Sequence, residues 1–236
     1  MNHPEFQLRG LSDPRLAVHA TSVLPAWLWS TDGTRILWAN PVGARLFGAA
    51  NSAALAAKVF GPADPHRRQV AQLADRLPPG GAIRLERLHG FGAALGQLVT
   101  CGCARLDFAD SSHGILIVAD APGSMPLAER LQRLVEGIDT PVAAFASDGT
   151  FLGAGDAARS LPGFRDLFEA GLKQSRNEAL KHHRAEPRIG NGRLALQRVG
   201  SGADVALVAL VATGAAPSDQ GPGIAAADEA RAECTP

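Results

Sequence analysis

Pro25-Ala-Trp-Leu-Trp-Ser-Thr-Asp-Gly-Thr-Arg-Ile-Leu-Trp-Ala-Asn40 and Pro141-Val-Ala-Ala-Phe-Ala-Ser-Asp-Gly-Thr-Phe-Leu-Gly-Ala-Gly-Asp156 are two versions of one pattern, separated by a constant 116 positions. Each reads as a short apolar strand, an Asp-Gly turn and a second strand. Asp-Gly supplies the positive φ angles that a tight hairpin demands, so Asp32-Gly33 and Asp148-Gly149 are hairpin signals with a mechanism. Each second strand then meets a good helix cap, Asn40 or Asp156. Self-similarity of this kind outranks any single element in deciding a fold. The chain reads as two related α+β units in tandem.

Working outward in the first copy, a short helix is expected over Pro41–Phe47, closed by Gly48, with proline suited to its first position. Ser52–Phe60 is Ala-rich and helical in pattern. Pro65–Leu77 sets Val70, Leu73 and Leu77 at helical spacing and leaves His66, Arg67, Arg68 and Asp75 to solvent. Three strand-like runs follow at 82–89, 96–108 and 114–120. The second copy is shorter. One long helix is expected over Phe164–His183, then strands at Arg188–Gly190 and Arg193–Val199 around Asn191-Gly192, and a last strand over Val205–Ala212. So small a unit is expected to lean on its neighbour or on a second chain.

Between the copies, Leu127, Leu131, Leu134 and Ile138 are spaced 4, 3, 4. That stripe fits an amphipathic helix packed on its own domain. It fits equally a helix that pairs across a dimer and relays a signal. The resulting division is a leader or short helix at 1–20, a first unit at 21–122, a connecting helix at 123–139, a reduced unit at 140–213 and a disordered tail or linker at 214–236. The tail's Gly, Ala, Pro, Ser and Asp composition offers little to bury.

Composition narrows the partners. Lys+Arg 23 against Asp+Glu 23 gives no basic excess for nucleic acid or an anionic membrane. The eight-residue apolar run Val205–Ala212 is far short of the roughly 20 residues a membrane helix needs. The N-terminus lacks a signal-peptide layout. Three cysteines, Cys101, Cys103 and Cys234, do not make a secreted disulfide framework, so a reducing, cytoplasmic setting is expected.

The first hairpin, with Asn40 opening a helix that ends Leu46-Phe47-Gly48, resembles the start of a PAS domain. Ile115-Leu-Ile-Val-Ala-Asp120 is similar to the PAS ending, and the resemblance runs over 21–122 and more weakly over 140–213. Asp13-Pro-Arg-Leu-Ala-Val-His-Ala-Thr-Ser22 is similar to the leader of alphaproteobacterial sensor histidine kinases that stack PAS domains before a kinase core. The resemblance implies two PAS-like domains, each a five-stranded antiparallel sheet with helices on one face, joined by the amphipathic helix. It implies a sensory and dimerisation module of a two-component phosphorelay, working as a homodimer and feeding a downstream kinase core or other signalling proteins. A free-standing interaction module is the alternative. No kinase catalytic motif is present.

Candidate chemistry is sparse. Trp27, Trp29 and Trp38 with Phe47 read either as core or as the aromatic wall of a pocket for an unknown small molecule, to which Asn40 and Cys101 are added as candidate lining. Cys101 and Cys103, two apart on a strand, face one side; small core residues are the plainer reading, and a metal site would need His89 or His113 besides. Gly153-Ala-Gly155-Asp-Ala-Ala158 matches the letters of a dinucleotide fingerprint but reads as a turn, for no parallel unit follows it. Asn40–Gly48 lacks the cysteine of flavin-binding photosensors, and haem would require His66 or His89 as axial ligand. No catalytic, cofactor-binding or metal residue is assigned, and no cofactor is expected.

Overall fold

The computed structural model describes residues 3–92, 96–159, 166–189 and 192–212. The chain starts with helices α1 (His3–Ser12) and α2 (Pro14–Ala17). Pro14 cannot extend α1, and Asp13 caps the new helix by accepting from the Arg15 N–H. Strands β1 (Ala26–Trp29) and β2 (Ile36–Ala39) form the first hairpin, with Gly33 at φ +67°. Helices α3 (Pro41–Leu46), α4 (Ser52–Ala56) and α5 (Pro65–Arg76) follow, capped by the side chains of Asn40, Asn51 and Asp64. Strands β3 (Arg84–His89), β4 (Leu98–Asp107) and β5 (His113–Ala119) complete an antiparallel sheet of order β2-β1-β5-β4-β3.

After α6 (Leu127–Val135) the pattern returns. Strands β6 (Val142–Ala146) and β7 (Phe151–Ala154) make the second hairpin, followed by α7 (Asp156–Arg159) and α8 (Lys173–His182). Strands β8 (Arg184–Ala185), β9 (Arg188–Ile189), β10 (Gly192–Val199) and β11 (Ala206–Ala212) close a second antiparallel sheet of order β7-β6-β11-β10-β8, with β9 also on β10. The short pair β8 and β9 stands where the first sheet has one strand. Both hairpins carry one extra residue on their second strand, Leu37 and Leu152, where the pairing slips. The chain is thus mixed α+β, with two antiparallel sheets of matching strand order.

At its centre each sheet is buried on both faces. In the first, Trp27, Trp29, Cys101, Cys103, Ile115 and Ile117 meet α3–α5. Leu28, Trp38, Ala104, Leu106 and Leu116 point the other way, into a core shared with Phe6, Leu11 and Leu16 of the N-terminal helices, Leu131 and Leu134 of α6, and Val142, Ala144 and Val208 of the second sheet. The second sheet's far face, with Phe145, Leu194, Leu196 and Leu207, packs on α7, Leu167 and α8.

Several expectations change. The helices do not keep to one face, because α1, α2 and α6 occupy the other. The short helix expected at 1–20 is a pair of helices, and Phe6, Leu11, Leu16, Ala17 and Ala20 of this stretch are buried in the shared core. The stripe Leu127, Leu131, Leu134 and Ile138 packs inside the chain, Leu127 at its margin, so α6 presents no spare apolar face to a second copy. The helix expected over 164–183 begins only at Lys173. Asp166 bridges to Thr150, Gly171 takes φ +72°, and 160–165 lie outside the described residues. The tail at 214–236 and most of the Asn191-Gly192 turn lie outside them as well. Gly153 and Gly155 serve packing: a Cβ on Gly155 would stand 2.9 Å from the Val135 carbonyl oxygen, and one on Gly153 3.2 Å from Gln132 Cα. Side chains there would push α6 off β7.

Polar links reinforce the junction. Buried Arg130 of α6 donates to the Thr21 carbonyl and pairs with Asp204 at 2.9 Å, while Thr21 Oγ1 donates to the Asp204 carbonyl at 2.6 Å. Arg9 of α1 lies 4.7 and 4.6 Å from the Phe6 and Phe108 rings and pairs with Asp110 on the β4–β5 turn, whose carboxyl it holds well below the usual range.

All three tryptophans sit in the first hairpin, so indole fluorescence reports the surroundings of that hairpin while far-UV circular dichroism reports both sheets. With one core between the sheets, the two signals are expected to give coincident urea transitions. Separate midpoints would show two independent units.

Candidate functional site

Alternation along β1 sends Trp27 and Trp29 to the helix side, and the two indoles gather an aromatic cluster. Trp27 lies edge-on to Phe47 and Phe91 at 5.6 and 5.4 Å, and Trp29 meets Phe60 at 4.7 Å. Phe47 comes from the end of α3, Phe60 from the loop after α4 and Phe91 from the turn after β3. The cluster is closed by His66 on the first turn of α5, near-parallel to Trp29 at 6.4 Å and edge-on to Phe47 and Phe91 at 5.0 and 5.2 Å. His66 is therefore mostly enclosed rather than given to solvent.

Its ring nitrogens are both engaged. Nδ1 lies 3.0 Å from Asp64 Oδ1 and Nε2 lies 3.2 Å from the Gly90 carbonyl. Gly90, at φ +80°, permits that approach, for a Cβ there would stand 2.5 Å from Nε2. Burial by itself would raise the Asp64 carboxyl, but the backbone N–H and ring of His66 outweigh it and hold the group below its ordinary range. The two indoles differ. Trp27 Nε1 donates to the Gly43 carbonyl at 3.0 Å. Trp29 Nε1 is buried and finds no acceptor among the described residues.

The structure divides the residues singled out in the sequence. Trp27, Trp29 and Phe47 come together, and Cys101 belongs to the same core. Trp38 does not. It stands opposite Leu28 in the pairing and packs under α1, where a Cβ on Gly10 would fall 1.9 Å from its Nε1. Asn40 is fully occupied as a fastener. Its Oδ1 accepts from the N–H groups of Ala26 and Gly43, and its Nδ2 donates to the carbonyls of His19, Ser22 and Leu24. It has no group left for a ligand. Cys101 and Cys103 are buried, and the loss of hydration pushes both thiols up to about 12, so they are neutral core residues. His113 pairs with Asp107 at 2.7 Å, and no three His, Cys, Asp or Glu among the described residues are grouped to hold a metal ion. The sequence did not mark Phe60, His66 and Phe91 as partners of the indoles. The Asp64-Pro65 cap, which fixes the start of α5, was the signal available for His66.

A PAS-domain family model matches residues 20–78, from just before β1 to just after α5. That stretch contains the whole cluster except Phe91, and it supports a PAS-like fold for the unit it opens. No curated protein matches the chain. Among solved structures, it is similar to an extracellular ligand binding receptor from Desulfohalobium retbaense DSM5692, with 12% identity and a TM-score of 0.28, over 89% of this chain and 35% of that one. It is also similar to the ligand binding domain of Mlp24 with asparagine, with 12% identity and a TM-score of 0.25, over 89% and 75%. A domain of a sensory box/GGDEF family protein from Vibrio parahaemolyticus shows 9% identity and a TM-score of 0.25, over 89% and 78%. The chain spans about a third of the length of the first of these. Scores this low establish no shared fold.

Two outcomes are expected. Asn40→Ala leaves two amide N–H groups and three carbonyls to find new partners, so urea unfolding should show a loss of about 3 kcal/mol or more; a loss under about 1 kcal/mol would show that Asn40 is not the fastener of the hairpin. In a Cys234→Ser background, Cys101 and Cys103 should resist Ellman's reagent at mild alkaline pH until denaturant is added. Rapid labelling of the native protein would contradict their burial.

Proposed function

We propose that this chain is a sensory and regulatory segment made of one full and one reduced PAS-like unit, without a reaction of its own. The observation that carries the proposal is the enclosed aromatic cluster between the first sheet and α3–α5, with the Trp29 N–H unanswered at its centre. A buried donor without an acceptor costs about 1–3 kcal/mol. A small apolar or aromatic molecule bearing one acceptor would remove that cost and bind better to an arrangement in which the cluster opens to admit it. Such a difference in affinity is what a signal requires. The match to a PAS-domain model over these same elements supports the reading.

The second unit is the relay in this proposal. It shares a core with the first and is tied to it by Arg130, so a change in α3 or in the segment before β1 is felt by α6 and β11. The receiver we propose is a histidine-kinase core, in the same polypeptide or in a partner, in a cytoplasmic setting. A phosphoacceptor box and ATP-binding motifs in the reading frame beyond Pro236 would support that assignment; their absence would favour a free-standing interaction module.

The test is a thermal-shift screen of small aromatic and amphipathic molecules, read beside native mass spectrometry for a co-purifying ligand. Trp29→Phe keeps the ring contacts and deletes the orphan donor. It should leave the ligand-free protein as stable or slightly more so, and weaken a hit by roughly fivefold or more. If no compound stabilises the wild type, or if Trp29→Phe leaves every hit unchanged, the cluster is core and not sensor.

A further inference from the structure

Strand β3 ends the order β2-β1-β5-β4-β3, so among the described residues no further strand pairs with its outer edge. His89 shows which backbone groups face that edge. Its N–H donates to Gln69 Oε1 at 2.9 Å and its carbonyl accepts from Gln69 Nε2 at 3.2 Å, so α5 has capped that end of the strand. Groups in an antiparallel strand alternate in direction from one residue to the next. Arg87 and Leu85 therefore also turn their N–H and carbonyl outward, and among the described residues nothing outside the ladder takes them. Side chains alternate as well. Leu88 is buried on the helix side, the side that Arg84 and Glu86 share. Leu85, 77% exposed, lies on the opposite face, beside Ile83 at 68%, whose Cγ2 reaches over the bare backbone of Gly102. An uncapped edge flanked by exposed apolar side chains is a template for another strand.

We propose that β3 pairs antiparallel with β3 of a second copy of this chain, about a two-fold axis passing through Leu85. In that register Leu85 faces Leu85, and Ile83 lies against the stem of Arg87. The outward backbone groups of residues 83, 85 and 87 meet their counterparts. On the helix side Arg84 faces Glu86 of the second copy, and symmetry repeats the pair. Neighbouring registers fail on charge. An axis through Glu86 sets Glu86 against Glu86, one through Arg84 sets Arg84 against Arg84, and one through Arg87 sets Arg87 against Arg87. The last also brings Leu85 to His89, whose backbone groups Gln69 already holds. Like charges directly opposite destabilise a strand pair, and opposite ones stabilise it. Within the chain Glu86 meets Arg76 at 3.4 Å, and its own side chain stays 26% exposed, which leaves room for a second cation. Charged residues on an edge ordinarily deter pairing. On β3 their order opposes like charges when the axis passes through Arg84, Glu86 or Arg87, and pairs opposite charges when it passes through Leu85.

The dimer stands apart from the sensory reading, and its test uses the full chain. Size-exclusion chromatography with light scattering should show a dimer in the wild type. Arg84→Glu and Glu86→Arg should each weaken it by roughly tenfold or more, because each creates two like-charge oppositions. The double variant R84E/E86R exchanges the charges and should restore the dimer. Leu85→Lys should give a monomer with an unchanged circular dichroism spectrum. A monomeric wild type, a dimer indifferent to Leu85→Lys, or a double variant no tighter than the singles would each overturn the proposal.

Discussion

Every residue of β1 and β2 is buried, so the first sheet has no solvent face at its centre. From that constraint most of the architecture follows. A sheet with one wet face can stand as a layer under a few helices. A sheet that presents Leu28, Leu37 and Trp38 on one side and Trp27, Trp29 and Ile36 on the other must be covered twice. Helices α3–α5 cover one side. The second cover is assembled from α1, α2, α6 and the inner face of the second sheet.

The bulge at Leu37 sharpens this division. Strict alternation would put Leu37 and Trp38 on opposite faces. The slip in pairing places both in the shared core and returns Ala39 to the helix side. Leu152 repeats the slip in the second hairpin and also packs against the shared core. The two hairpins are therefore alike in their irregularity as well as in their turns. The glycines at 10, 43, 153 and 155 belong to the same economy of space, each removing a side chain where a helix approaches a strand or an indole closely.

What could be read from the sequence was local. The Asp-Gly turns, the Asn40 cap and the proline that follows it act over a few residues, and the elements they delimit are where the residue pattern puts them. What could not be read were relations between faces. Three tryptophans within twelve positions looked like one wall, yet the hairpin pairing assigns Trp38 to the far side. The stripe on α6 looked equally suited to its own core or to a second chain, because its chemistry is the same in either. Only the arrival of the second sheet against it decides. In the second unit, 164–183 had helical periodicity throughout, but the Thr150 bridge to Asp166 and the left-handed Gly171 hold its first part as a turn.

Asn40 and Trp29 mark the difference between a residue that completes a fold and one that leaves something over. Asn40 sits in a conspicuous position and answers five backbone groups, so its burial is explained by the structure around it. Trp29 is buried as deeply, and its ring is well packed, but its donor is unanswered while that of Trp27, two residues away on the same face, is met by Gly43. Phenylalanine would fill much of the same apolar space without stranding a polar group. Packing therefore accounts for the aromatic character of position 29 and not for its nitrogen. Within the aromatic cluster that donor is the remainder, and beside it His66, fixed through Asp64 and Gly90, lies near-parallel to the Trp29 ring at 6.4 Å.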